Sequence, residues 1–148
     1  MTQKLNVIEA EAYEILSGGL CPVVLLCEHA SNRLPSPWEW SDIDRKIMYA
    51  HWAIDIGVAD LCRELHDAVG CPVLMARFSR LLVDANRPID SSTLVRRVAD
   101  GKEIELNRDL TKAEVLKRIE QYWQPYHAAA DGLVASHEGA PVVGIHSF

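Results

Sequence analysis

Directly after an apolar run at residues 23–26, the chain reads Cys27-Glu28-His29-Ala30-Ser31-Asn32-Arg33-Leu34-Pro35. An acid, an imidazole, an amide and a guanidinium crowd one strand-to-loop junction. Two further clusters have the same setting. Ser79-Arg80 and Asp84-Ala85-Asn86-Arg87 surround the apolar residues 81–83, and His146-Ser147 follows the apolar residues 142–145. In open α/β sheets, sites form beyond the carboxyl ends of strands, so polar clusters at three such ends mark where chemistry belongs. A catalytic zinc centre takes three His or carboxylate ligands and keeps one position open for water. His29, His146 and one carboxylate meet that requirement. For either histidine alone, the competing reading is a loop hydrogen bond.

The elements that must position these clusters follow from patterning. Residues 9–17, EAEAYEILS, are expected to form a short amphipathic helix ended by Gly18-Gly19. Residues 22–26 form a first buried strand, short, β-branched and bounded by punctuating residues. Residues 41–69 are read as helical with an early break. Ser41 or Asp42 caps the first piece, Ile54, Val58, Leu61, Cys62 and Leu65 share one apolar face, and Gly70 stops it. Asp55 then sits on this helix. Residues 72–76 give a second buried strand and residues 81–83 a third. Residues 84–109 lack periodicity, which is unusual in a compact domain unless the loop has a task. From residue 110 to about 136 a long helix is expected, with Thr111 as cap, Glu114 completing a capping box, and Pro125 kinking or dividing it. Residues 142–145 start another buried strand. Apolar strands alternating with helices indicate α/β architecture.

The whole chain narrows the function classes. Its 148 residues suffice for one domain with a core, and 49% hydrophobic with 24% charged residues is globular composition. A net charge of -6, from 15 basic and 21 acidic residues, argues against a general nucleic-acid or anionic membrane surface. No apolar run approaches the roughly 18 residues a membrane span needs, and no signal-peptide h-region is evident, so the expected location is cytoplasmic. Cys21, Cys27, Cys62 and Cys71 contain no CxxC pair and are read as buried free thiols. Gly-rich phosphate loops, GxSxG and HExxH are all missing from the sequence.

VVLLCEHASNRLP, HWAIDIGVADL, FSRLLVDANRP and VVGIHSF, in this order, resemble the N-formylglutamate amidohydrolase family. The resemblance implies a three-layer α/β fold with a mostly parallel sheet, similar to zinc-dependent exopeptidases and phosphorylase/hydrolase-like folds. Because members are longer, it implies that residues 1–148 are a single but incomplete amidohydrolase domain whose C-terminal part is missing. The implied activity is metal-dependent hydrolysis of the N-formyl or N-acyl amide of an acidic amino acid such as N-formylglutamate. Zn2+ is the implied cofactor, with other divalent metals compatible with N/O ligands. Residue by residue, His29, Asp55 and His146 match the metal ligands, Glu28 and Asp84 being rival carboxylates for the place of Asp55. Arg80, Asn86 and Arg87 match a motif suited to gripping substrate carboxylates, with Arg33 as a further contributor. No general acid/base is obvious; Glu28 is the visible choice for that catalytic role, and the group could equally follow Phe148. The implied partner is a small acidic N-acyl amino acid, with no nucleic acid or membrane, and a homodimer could cover an exposed sheet edge. The alternative is a non-catalytic metal- or small-acid-binding α/β domain, or an inactive fragment.

The remaining residues have plainer expectations. His51 is read as an edge residue or a neighbour of the metal ligands, His66 as solvent-exposed on a charged helix face, and His127 as helix packing. Trp38 and Trp40 either cover a pocket or anchor their loop. Arg87 could pair with Asp84 rather than with a substrate.

Overall fold

The computed structural model describes residues 7–19 and 21–148. Residues 1–6, on which part of the signal-peptide reading rests, and Leu20 lie outside them. One sheet holds β1 (Val7–Glu9), β2 (Tyr13–Leu16), β3 (Val24–Cys27), β4 (Val73–Ala76) and β7 (Val142–Gly144) in the order β1-β2-β4-β3-β7. A small second sheet pairs β5 (Val98–Ala99) with β6 (Lys102–Glu103). β3 runs parallel to both β4 and β7, whereas β2 is antiparallel to β1 and β4. The sheet is therefore mixed, which corrects the expectation of a mostly parallel one. The cause is the segment expected to be a helix at 9–17. It folds back at Ala10–Tyr13 (Ala10 N–H to Tyr13 O, 2.8 Å) into the β1–β2 hairpin and covers the free edge of β4. Tyr13 and Ile15 pack on one face of the sheet, while Leu16 joins the core on the other. Apolar side chains on both faces of β2 hide the alternation that identifies most strands.

Helices cover both faces. Val58 and Cys62 of α1 (Val58–Val69) pack on Leu25, Cys27, Val73 and Met75. On the opposite face, Tyr126, Ala130 and Leu133 of α3 (Gln124–Ala135) meet Val24, Leu74 and Ala76. Each central strand thus sends alternate residues to opposite helices, as a pleated sheet must. Thr111 caps α2 (Lys112–Arg118) in a full capping box with Glu114. Pro125 lacks a donor and presses on the preceding turn; a π-helical stretch, Ile119–Trp123, precedes it and joins α2 to α3.

Other expectations are corrected. Residues 81–83 form a turn rather than a strand, and the region 41–57 holds only a 3-10 turn, Asp44–Lys46. β7 was expected to be buried, yet it is an edge strand with Val142 45% and Val143 40% exposed. His66 is buried, with Nδ1 2.7 Å from Cys71 O. Cys21 and Cys71 are not free thiols but form a disulfide, because their CPV segments open the adjacent parallel strands β3 and β4. Cys27 and Cys62 are free and buried. Burial and their mutual hydrogen bond act on both thiols, raising Cys27 and leaving Cys62 lowered. Among the described residues no helix is long and apolar enough to cross a membrane.

The long segment between β4 and α2 is tied down by buried polar groups. Asp44 accepts from Glu105 N–H (3.1 Å) and Leu106 N–H (2.8 Å). Asn107 donates to Leu81 O (2.8 Å) and Arg96 O (2.7 Å). Arg118 donates to Leu82 O (3.0 Å), Asn107 Oδ1 (2.7 Å) and Leu106 O (3.1 Å). These bonds tie Leu81 and Leu82, within the 80–87 stretch that carries one of the polar clusters, to Asn107 and Arg118.

Candidate metal centre

β3, β4 and β7 run in one direction, so the residues that follow them emerge along the same edge of the sheet. His29 follows β3 and His146 follows β7. Asp55 lies in the loop before α1 rather than on the helix; Gly57 at φ 79° takes the left-handed turn that starts the helix at Val58. The loop is held against the site by Asp55 N–H to His29 O (3.1 Å) and Ser79 Oγ to Ala53 O (2.9 Å).

The two imidazoles meet edge-on with ring centroids 5.2 Å apart. Between them, Asp55 Oδ2 lies 3.3 Å from His29 Nδ1, 3.0 Å from His146 Nδ1 and 3.3 Å from Ser147 N. His29 Nε2 is 2.7 Å from Asp84 Oδ1. Arg80 joins the carboxylates from outside, donating to Asp55 Oδ1 (3.3 Å) and Asp84 Oδ2 (3.1 Å). Burial alone would raise the Asp84 carboxyl, but the His29 hydrogen bond and charge, Arg80 and the Asn86 N–H together hold it below its usual value.

One ligand atom from each of His29, Asp55 and His146 lies within 4.8 Å of the others, so this buried cluster is able to coordinate a divalent ion such as Zn2+. Three further observations fit a cation. First, Glu28, Asp55 and Asp84 bring three carboxyl groups to the imidazoles, and Arg80 is the guanidinium that pairs with two of them among the described residues. Buried charge is costly unless paired. Second, Glu28 Oε2 is shut from solvent with no hydrogen-bond partner among the described residues. Third, the outer carboxylate on His29 Nε2 puts a proton there and leaves Nδ1 as the free donor, as in metal-ligating histidines. Nitrogen and oxygen donors suit zinc and also other divalent metals.

A cavity of about 420 Å³ opens over the centre, and its walls include His51, Arg80, Asn86, Arg87 and Phe148 besides the imidazoles. Arg87 is exposed and has no carboxylate partner among the described residues; its backbone N–H bonds Asp84 O at 3.1 Å, so its expected alternative, an ion pair with Asp84, is made by Arg80 instead. His51, exposed and stacked 4.5 Å from Trp52, belongs to this wall. Arg33 is not brought here. It bonds Arg77 O (2.6 Å) and Glu11 Oε1 (2.9 Å) and lines a separate cavity of about 490 Å³ with Arg63 and Arg77. Glu28 stands behind His146, with Oε2 3.4 Å from Nε2, and is not among the cavity's lining residues. The two tryptophans anchor rather than cover: Trp38 packs on Tyr122, and Trp40 Nε1 donates to Asn32 O at 3.0 Å. His127 Nε2 lies 2.9 Å from Ala85 O and so ties α3 to the site loop.

Comparison with known proteins gives solved structures of the same fold and a matching sequence family. Gene product Atu2144 from Agrobacterium tumefaciens has a crystal structure similar to this chain, with TM-score 0.85 and 29% identity over 93% of this chain and 56% of that one. The N-formylglutamate amidohydrolase from Ralstonia eutropha JMP134 shares the fold at TM-score 0.77 and 24% identity, over 94% of this chain and 58% of that one. The chain therefore spans somewhat more than half the length of these solved structures. A search of curated protein sequences finds no significant match. The sequence profile described as "FGase: N-formylglutamate amidohydrolase" matches residues 21–148, a stretch that contains His29, Asp55, the Arg80–Arg87 segment and His146. On that match the chain belongs to the N-formylglutamate amidohydrolase family.

Proposed function

We propose that this chain carries the metal centre and the carboxylate-binding wall of an enzyme that hydrolyses the N-formyl or N-acyl amide of an acidic amino acid. The observation that carries this reading is the convergence of His29 Nδ1, His146 Nδ1 and Asp55 Oδ2 beneath a cavity whose wall presents Arg87. In this reading His29, Asp55 and His146 hold the ion. A divalent cation there supplies positive charge that polarises an amide carbonyl and eases proton loss from an attacking water. The protein's own residues do the rest. Asp84 keeps the His29 proton on Nε2, and Arg80 locks Asp55 and Asp84 in register. Arg87 offers an unpaired guanidinium fork to a substrate carboxylate, and Asn86 can donate to or accept from the same ligand. Arg80, held by two carboxylates, is the weaker anchor. N-formylglutamate, with two carboxylates, fits this wall by charge.

The test is metal analysis together with formate release from N-formylglutamate. One zinc per chain and turnover are expected from the wild type, and loss of both from His29→Ala/His146→Ala. Full metal content in that variant would dismiss these ligands. The second reading is a binding domain without turnover. It is favoured by the cavity lining, in which Asp55, already assigned to the ion, is the one side-chain carboxylate among the described residues, and it predicts zinc and dicarboxylate binding with no formate released.

A further inference from the structure

The two halves of the centre repeat one pattern. Each histidine turns Nδ1 towards Asp55 Oδ2 and Nε2 towards a carboxylate of its own, Asp84 for His29 at 2.7 Å and Glu28 for His146 at 3.4 Å. The halves differ in how complete they are. Asp84 receives His29, the Asn86 N–H and Arg80. Glu28 Oε2 is buried and accepts no aligned hydrogen bond among the described residues, its contact with His146 being at ion-pair distance only. A buried carboxylate oxygen left without a donor is costly, and the His146 ring, with Nε2 3.4 Å away, is able to relieve it. When Nδ1 of a histidine binds a cation, its proton must reside on Nε2, the nitrogen that here faces Glu28. Glu28 is absent from the lining of the cavity over the centre, whereas His146 belongs to it. The imidazole therefore stands between Glu28 and anything held in that cavity.

We propose that Glu28 is a positioning residue. Its carboxylate fixes the tautomer and tilt of His146 for metal binding, as the counterpart of Asp84 on His29, and it does not exchange protons with the substrate. This rests on the metal centre described above, and it replaces the expectation that Glu28 is the catalytic acid/base. The neutral-imidazole tautomer with the proton on Nε2 is the form that donates to Glu28 and coordinates through Nδ1 at once. A carboxylate behind the ring also raises the basicity of the coordinating nitrogen.

Zinc affinity, measured by chelator competition at one pH on the full 148-residue protein, separates positioning from proton transfer. Removing an outer carboxylate from a ligating histidine typically lowers metal affinity by about 10- to 100-fold, and that loss is expected for Glu28→Ala. Glu28→Gln keeps an acceptor oxygen and should retain more of the affinity. Nitrogen-15 NMR of the zinc-loaded wild type should show His146 protonated at Nε2, with that signal shifted in Glu28→Gln. Zinc affinity within about twofold of wild type in both variants would overturn the proposal, most sharply if amide hydrolysis were lost at the same time. If circular dichroism shows Glu28→Ala unfolded, Glu28→Gln decides by the His146 Nε2 signal, an unshifted signal overturning the proposal. A wild type that takes up no zinc would remove the metal centre and this role together. Zinc-binding wild type with unaffected Glu28 variants removes only this role.

Discussion

Arg118 and the His29–Asp55–His146 centre are both polar groups largely withdrawn from water, and both are held in part by residues of the 80–110 segment. Arg118 is 1% exposed and has three acceptors, Leu82 O, Leu106 O and Asn107 Oδ1, with no carboxylate partner among the described residues. Burial pulls its guanidinium down to about 10, with Glu114 acting the other way, so it stays charged at neutral pH. The metal centre has the reverse composition: carboxylates in excess, crowded against imidazoles, and one carboxylate oxygen with no donor. In the first region neutral backbone dipoles solvate a charge and knit distant segments together. In the second, like charges are held close, which stabilises the fold little and leaves a demand for a cation. The difference separates a buried charge that serves the fold from a set that serves chemistry.

Breaking each side should give opposite outcomes. The largest effect is expected from His29→Ala/His146→Ala: complete loss of stoichiometric zinc by metal analysis, with the metal-free protein still folded by circular dichroism. Next comes Arg118→Met, which strands the acceptors on Leu82, Leu106 and Asn107. At about 1–3 kcal/mol for an unsatisfied buried group, the total loss in urea unfolding should be on the order of 3 kcal/mol. Zinc content in the folded fraction should not change. If Arg118→Met instead emptied the metal site while leaving stability intact, the division between the two regions would collapse.

A smaller effect sharpens the second region. Arg87→Ala removes the unpaired fork from the cavity wall and should raise KM for a dicarboxylate substrate. A charge-assisted hydrogen bond is worth about 1.5–3 kcal/mol, so roughly tenfold or more is expected, with kcat little changed and zinc retained. Arg33→Ala provides the contrast, since Arg33 is engaged with Glu11 and Arg77, and its KM should match the wild type. Equal KM shifts in both variants would mean that general charge, not the geometry of the wall, attracts the substrate.

How much of this was legible from residue order depends on the range of the interaction. His29 and His146 could be read because short apolar runs end in polar residues, and parallel strands deliver their ends to one side. The capping box at Thr111 and Glu114 is local and was readable for that reason. The β1–β2 hairpin was not, since EAEAYEIL places apolar residues at positions that suit a helix face as well as a two-sided strand. The mostly parallel sheet implied by the family resemblance holds for β3, β4 and β7, and this hairpin adds the antiparallel strands that make the sheet mixed. Asp84 was visible as a carboxylate at a strand end, but its pairing with His29, 55 residues away, is tertiary. Arg80 illustrates the same limit: a guanidinium near carboxylates reads equally as anchor or clamp, and only the 3.3 Å and 3.1 Å contacts to Asp55 and Asp84 show a clamp. Arg118, inside an ordinary helical pattern, gives no sequence signal at all, because its acceptors are two backbone carbonyls and the Asn107 amide oxygen, 11 to 36 residues away.

The smallest predicted effect concerns acid. Asp84 is held below its ordinary value in the folded protein, burial being outweighed by His29, Arg80 and the Asn86 N–H. A carboxyl depressed on folding contributes stability above its unfolded value, near 3.9, and loses it as pH falls through the lower folded value. In the metal-free wild type, unfolding free energy should therefore decline below about pH 4, where the unfolded chain binds the proton first. Asp84→Asn removes that proton uptake and should show a shallower decline over the same window. Arg118 cannot contribute there, being fully protonated in both states, so Arg118→Met should shift the whole curve downward without changing its acid slope. Parallel acid limbs for wild type and Asp84→Asn would mean that the His29 and Arg80 contacts do not favour the charged carboxylate. The orienting role assigned to Asp84 would then lose its electrostatic basis.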